Sequence, residues 1–294
     1  MLAVQILINS SVIMVQVLLL AAALYLIYTV SGVVCIHLGS VLVASAYTYY
    51  ALVIMAGLPA ALGCLGALFM GVTLSLASYG LLRPLISKKL DLLALLLCIA
   101  MMLGLEALIG LIFGASPRFL IEGAIPTIDI GPYSLNLVGV WTLIIGFIVT
   151  VTALGVIYGT SAGRKLRAVN QHEYAAQSLR LNVTRVQVWT YVIAGGVVAV
   201  MGILTCMNDA VTPQFGNSQI LPAFIALIVG GVRSFKGTVL TAMLMILGIE
   251  FLTGMSFGSF SFSPSWNNAL IFGFALIALL IKPEGLFSFK QRSS

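Results

Sequence analysis

Charge is what this sequence has least of: Asp, Glu, Lys and Arg together make up 7% of its 294 residues. A soluble domain needs about 25% charged residues to cover its surface, so an ordinary aqueous exterior is excluded and lipid must be the main solvent. Strict polar/apolar alternation is also missing, which excludes an outer-membrane barrel. No GxxxxGK[ST] phosphate loop occurs, and no extramembrane stretch is long enough for an ATPase or catalytic domain. The chain is therefore not expected to be an enzyme or to hold catalytic residues. Histidine is scarce, with His37 and His172 far apart in sequence. The four cysteines, Cys35, Cys64, Cys98 and Cys206, sit in apolar surroundings without metal-ligand spacing. They read as buried small hydrophobes, with no metal site and no disulfide expected. Met1–Ser10 carries no Lys or Arg and precedes no small-residue cleavage site, so it reads as mature sequence rather than a signal peptide.

What is present is long apolar sequence. Hydrophobic residues make up 61% of the chain, and a helix needs about 20 of them to cross the hydrocarbon. Candidate spans are Val12–Val30, Val33–Tyr50, Leu58–Leu82, Leu90–Phe113, Leu135–Gly159, Val186–Met207, Leu221–Val232, Thr238–Gly254 and Trp266–Ile281. Leu221–Val232 is too short to cross untilted, and Val33–Tyr50 follows Gly32 and is interrupted by Gly39 and polar residues. The expectation is an all-α integral membrane protein with about eight or nine transmembrane helices, at least one of them short or discontinuous. Residues 1–294 form one transmembrane domain in this reading.

Basic residues cluster at span ends. Arg83, Lys88 and Lys89 form one group, Arg164, Lys165, Arg167, Arg180 and Arg185 a second, Arg233 and Lys236 a third, and Lys282, Lys290 and Arg292 follow the last span. Counting spans between them puts all four groups on one side, which the positive-inside rule makes the cytoplasm. The C-terminus is then cytoplasmic in a multi-pass inner-membrane protein. The same clustering accounts for the net charge of +6 without a nucleic-acid partner.

Within the longest basic loop, Gly163–Asn182 reads GRKLRAVNQHEYAAQSLRLN. Asn170 followed by Glu173 resembles a capping box, predicting one short helix ending near Val169 and another beginning at Gln171. Leu166, Val169, Ala176 and Leu179 recur at nearly helical spacing. The residues alone leave two readings open: an amphipathic loop resting on anionic lipid, or a small helix that docks in a groove of a soluble partner.

Several segments together resemble the permease subunits of bacterial branched-chain amino-acid ABC importers, a group that includes urea and short-amide importers. In the loop, Gly163, Arg164, Arg167, Ala168, Asn170, Ala176 and Asn182 match that family's motif, while Arg180 stands where Gly is usual. Arg83-Pro84-Leu85 matches an Arg-Pro-Leu after an early span. Pro213, Gly216, Leu221, Ala223, Phe224, Gly230 and Gly231 follow the run into a Gly-Gly pair, continued by Ser234 and Gly237, with Arg233 replacing another Gly. Lys282-Pro283-Glu284-Gly285-Leu286-Phe287 is similar to an Arg-Pro-Gln-Gly-Leu-Phe close. Gly39-Ser40 and Ala46-Tyr47 align with a His-Gly-Ser stretch running to Ala-Tyr, where Cys35 and Leu38 replace Asn and His. Each motif is weak alone; their common order makes the match specific, from about Tyr25 to Phe287.

The resemblance implies a permease of an ATP-driven importer for a small polar solute, with branched-chain amino acids the first choice. It implies two cytoplasmic ATPase subunits that bind the ATP and Mg, a second and different permease chain, a periplasmic substrate-binding protein and surrounding lipid. No cofactor is expected in this chain itself. Residues 160–185 become the coupling loop, with Gly163, Arg164, Arg167, Asn170, Glu173 and Ala176 as the contacts to the ATPase. The competing class is a self-contained secondary carrier or channel, for which the sparse ionisable inventory offers few relay groups. Glu106, deep in its span, is the exception: an ionised carboxylate there costs at least about 2.5 kcal/mol unless solvated, paired or protonated. It is either a structural hydrogen-bonding acid, favoured by the Gln that similar family members carry there, or part of a translocation pathway with Gly39, Ser40 and Tyr47. Gly63 and Gly66 read as sites of close helix approach.

Overall fold

Ten α-helices follow one another among the described residues: α1 (Leu2–Ser31), α2 (Leu38–Tyr50), α3 (Ala60–Ser87), α4 (Asp91–Phe113), α5 (Leu137–Gly159), α6 (Ser161–Gln171), α7 (Val183–Asn208), α8 (Phe215–Gly230), α9 (Phe235–Gly254) and α10 (Asn267–Ile281). The structure is a computed structural model that describes residues 2–119, 127–130, 133–171, 182–232, 234–254, 256–257, 260–261, 266–283 and 285–287. Seven helical spans are long and apolar enough to cross a bilayer, α2 counting as one together with the helical turn to Met55, and α8 and α10 are shorter apolar helices. This matches the expected all-α membrane fold. Two small antiparallel hairpins, β1 (Thr127–Ile130) with β2 (Tyr133–Asn136) and β3 (Ser256–Phe257) with β4 (Phe260–Ser261), sit in the connections between spans.

The helices sort by what surrounds them. α1 is buried on every side from Val17 to Ile27, because α5, α6, α7, α8 and α9 all pack on it. A helix apolar all round needs protein or lipid all round. On α4, α5 and α10 the large side chains point outward instead: Leu111, Phe147 and Leu280 are each exposed. In water such a surface would aggregate; in hydrocarbon it is the ordinary exterior.

Two of the expected spans are modified by breaks. α2 begins only at Leu38, after a non-helical segment 32–37 opened by Gly32 at φ +69°, and it continues as a π-helical turn over Ala51–Met55. α8 begins at Phe215 rather than Leu221, after the segment 209–214. The polar residues Asn217 and Ser218 extend it because both find partners, Asn217 on Glu106 and Ser218 Oγ on the Phe215 carbonyl at 2.7 Å.

These breaks reveal an internal repeat. Each is six residues long and each joins a long helix to a helix that starts inside the bundle, α1 to α2 and α7 to α8. The neighbours correspond as well: α7 packs on α3 as α1 packs on α9, and α2 packs on α3 as α8 packs on α9. Gln187, at the start of α7, donates from Nε2 to the Val30 carbonyl at the end of α1 (3.1 Å), so α1 and α7 run antiparallel. The two halves are therefore inverted relative to each other, an arrangement that transporters use to place irregular backbone near the midplane. α5 and α6 lie between them in sequence.

Candidate functional site

Where the two halves meet, α2 and α8 cross through Gly39 and Gly216. A Cβ on Gly39 would lie 2.7 Å from the Gly216 carbonyl oxygen, and one on Gly216 would overlap Gly39 backbone. Glycine at both positions is what lets the two helix starts touch. Ser40, beside the crossing, is buried and donates to the His37 carbonyl at 2.8 Å. Tyr47, further along α2, is buried, donates to the Val211 carbonyl at 3.1 Å, and packs against Phe113 in a tilted pair with ring centroids 4.9 Å apart. Its hydroxyl thus ties α2 to the second break.

Glu106 is 8% exposed. Its Oε2 accepts from Asn217 Nδ2 at 3.2 Å, joining α4 to the first turn of α8, while Oε1 is buried without a hydrogen-bond partner. Sequence reasoning missed Asn217, although it directly follows Gly216 in the motif run. The structure thus gathers Gly39, Ser40, Glu106 and Asn217 around one helix junction. Glu250 is likewise held by an amide, accepting from Asn267 Nδ2 at 3.0 Å.

At the end of the bundle that carries the basic clusters, three motifs distant in sequence converge. Gly231 turns at φ +96° and Gly285 at φ +94°, and a Cβ on Gly285 would lie 2.7 Å from Gly231 Cα. The Leu286 amide donates to the Val229 carbonyl at 2.7 Å. Gly237 closes the corner, where a Cβ would lie 2.7 Å from Phe287 Cβ. The Gly-Gly pair, the Ser-Gly that follows and the Gly-Leu-Phe close are one packed corner. Lys236 beside it places its Nζ 4.9 Å from the Tyr158 ring centroid, near the end of α5.

The α5–α6 turn stands next to that corner. Gly163 is buried there, and a Cβ would overlap the Val156 and Ile157 carbonyls, so the matched glycine is required by the turn. α6 runs to Gln171 as one helix, through the expected end near Val169. It is amphipathic: Leu166 is buried, while Arg164 and Lys165 are exposed. Asn182 caps α7, its Oδ1 accepting from the Arg185 amide at 3.1 Å, which gives the motif's final Asn a physical role. The side chains of Arg167 and Asn170, and all of 172–181 with Glu173, Ala176 and Arg180, lie outside the described residues.

At the opposite end, a cavity of about 300 Å³ is lined by Asn9, Val12, Ile13, Asn136, Gly139, Asn208 and Asp209. Asn136 Nδ2 donates to Asn208 Oδ1 at 2.9 Å. Burial pushes the Asp209 carboxyl above its ordinary range, while the Gln16 and Asn208 side chains beside it pull the other way. This polar group was not anticipated, because its members come from three separate connections and spans.

Comparison with known proteins agrees with this architecture. The family profile described as "Branched-chain amino acid transport system / permease component" matches residues 6–280. The high-affinity branched-chain amino acid transport system permease protein LivH of Escherichia coli (strain K12) is 24% identical over 288 residues, 91% of this chain and 90% of that protein. BraD of Pseudomonas aeruginosa, a permease protein of the same description, is 27% identical over a shorter stretch, 56% of this chain and 55% of its own length. A solved structure, PsaBC from Streptococcus pneumoniae in complex with Fab, superposes with a TM-score of 0.52 at 16% identity, covering 95% of this chain and 92% of that one, and supports the fold. With nearly the whole membrane domain inside the matched region, the chain belongs to the permease-component family of branched-chain amino acid transport systems.

Proposed function

We propose that this chain is one of two membrane-spanning subunits of an ATP-driven importer for branched-chain amino acids, with α6 and the following loop as the element gripped by the ATPase. The observation that carries this reading is the α5–α6 turn. Gly163 and Leu166 anchor α6 to the bundle, while Arg164 and Lys165 stand free of it. A short helix fixed on one face and exposed on the other suits insertion into a groove of a partner.

In this reading the basic end is cytoplasmic and so is the C-terminus. Two ATPase subunits bind ATP and Mg beneath it, a second permease chain of different sequence completes the pathway, and a binding protein delivers the solute on the far side. The remaining motif contacts, Arg167, Asn170, Glu173 and Ala176, continue the docking surface of α6. Closure of the ATPases pushes on α6, and the packed Gly231/Gly285 corner passes the displacement to α8 and α9. The Gly39–Gly216 junction, with Ser40, Tyr47 and Glu106 around it, is where the halves shift. Glu106 serves first as the tie between α4 and α8.

A photo-crosslinking residue at Arg164 or Lys165 in the assembled transporter tests this. The expected product is a covalent adduct with the ATPase that forms at both positions and changes in yield when nucleotide is trapped. Adducts with lipid alone at both positions, or ATP-independent uptake by the purified chain in proteoliposomes, would overturn it.

A further inference from the structure

Cys35 and His37 lie in the first break, and Cys98 lies two turns into α4. All three are buried, and their Sγ and ring-nitrogen ligand atoms lie within 4.8 Å of one another. His37 is 0% exposed, and its ring nitrogens make no hydrogen bond of ordinary geometry, the Cys98 thiol being the polar group beside them. A buried polar group without a partner costs about 1–3 kcal/mol, and a native structure rarely carries one without a reason. A buried imidazole whose nearest polar neighbours are two thiols is suited to take a metal ion.

We propose that Cys35, His37 and Cys98 form an intramembrane site for a resident thiophilic divalent cation of the Zn²⁺ type, which clamps the first helix break to α4. Two sulfurs and one imidazole are the donor set that selects soft or borderline ions over Mg²⁺ or Ca²⁺. Charge decides between the soft ions. Two thiolates and a neutral imidazole offset a divalent cation, so the loaded site is neutral, whereas a monovalent ion would leave one uncompensated negative charge in a low-dielectric interior. Binding releases both thiol protons. Zn–S bonds of about 2.3 Å and Zn–N bonds of about 2.0 Å would bring tetrahedral ligands to roughly 3.5 Å from one another, so the side chains need to close by up to about an ångström, and three protein ligands leave the fourth position to a water. The Tyr191 hydroxyl, 3.7 Å from Cys35 Sγ, is positioned to donate to the bound thiolate, the outer-shell support that metal ligands usually have.

The site has a structural consequence that the sequence spacing hides. The break 32–37 has no regular hydrogen-bonded ladder of its own, and two of its side chains would be fixed to a neighbouring helix by the ion. The clamp ties the first break to α4 and involves no residue of α6, the element proposed to meet the ATPase.

The full-length chain, purified with its co-purifying subunits, is the material for the test. Metal analysis should find about one zinc per chain. After chelator treatment, cobalt titration should give thiolate-to-cobalt charge-transfer absorption that saturates near one equivalent and raises the melting temperature. Cys98→Ser and His37→Gln should each weaken cobalt binding at least about tenfold, and Cys64→Ser should leave it unchanged. Should the variants fail to accumulate, the wild-type measurements decide alone. Absence of both bound zinc and the cobalt spectrum in the wild type would overturn the proposal. So would a cobalt spectrum that persists in the Cys35→Ser/Cys98→Ser double variant.

Discussion

The two helix breaks occupy equivalent places in inverted halves, yet they have been given opposite chemistry. The first, 32–37, is sequence GVVCIH; the second, 209–214, is DAVTPQ. Only Val34 and Val211 agree, and just beyond them Gly39 and Gly216. In the first break His37 and Cys35 lie together in a closed interior beside the Cys98 thiol of α4. In the second, the same positions hold Thr212 and Gln214, and Asp209 opens on a polar cavity. Backbone geometry is thus shared where the halves touch each other, and side-chain chemistry diverges where each half faces a different environment. The glycines are set by contact and the rest by location.

The largest effect should come from breaking what the halves share. Gly39→Val or Gly216→Val places branched carbons against backbone that cannot rotate away. Even alanine should cost about 1–3 kcal/mol as overpacking, and valine should prevent the chain from accumulating in the membrane. Gly104, on α4 with nothing within 4 Å of its would-be Cβ, is the control. Gly104→Ala should leave expression, thermal stability and uptake unchanged. Equal tolerance at Gly39 and Gly104 would mean that the crossing is not close.

Much of this architecture can be read from the residues and part of it cannot. The spans, the discontinuity before α2 and the glycines at helix contacts are legible because lipid demands long apolar runs and only glycine permits backbone contact. Gly63 and Gly66 do meet α2 and its π turn, at Tyr49, Val53 and Leu52. The inverted repeat is not legible, because lipid-soluble helices satisfy their environment with almost any mixture of Leu, Ile, Val and Ala, so equivalent positions drift apart. The Cys35–His37–Cys98 cluster escaped for a different reason: its third ligand comes from another helix, and ligand spacing along the chain says nothing about such a group. Asn217 was hidden among residues that looked too polar for a membrane helix, when their polarity is what lets α8 start early.

A middle-sized effect should separate the tie at Glu106 from its charge. Ser40, the counterpart of Asn217, bonds within its own break, whereas Asn217 reaches across to α4. Glu106→Ala leaves the Asn217 amide without its acceptor in a buried junction, which should cost about 1–3 kcal/mol and lower the melting temperature of the assembled transporter. Glu106→Gln keeps an acceptor oxygen and should hold both stability and uptake within about twofold of wild type. Uptake lost in Glu106→Gln at unchanged stability would assign the carboxylate's charge to the pathway and demote the tie.

The smallest effect concerns the second break alone. Burial raises the Asp209 carboxyl above its ordinary value in the folded chain, against the partial relief from Gln16 and Asn208. The folded state then holds this proton more tightly than the unfolded state does. Between the ordinary carboxylate value and the raised one, stability should fall as pH rises, and above the raised value the penalty is constant. Asp209→Asn keeps the size and the hydrogen-bonding reach but cannot ionise. It should make that part of the stability profile less steep and leave the variant at least as stable as wild type at neutral pH. The first break has no carboxylate among its residues, so the contrast rests on Asp209. A slope as steep in Asp209→Asn as in wild type would place the titrating group elsewhere and remove the electrostatic half of the contrast between the two breaks.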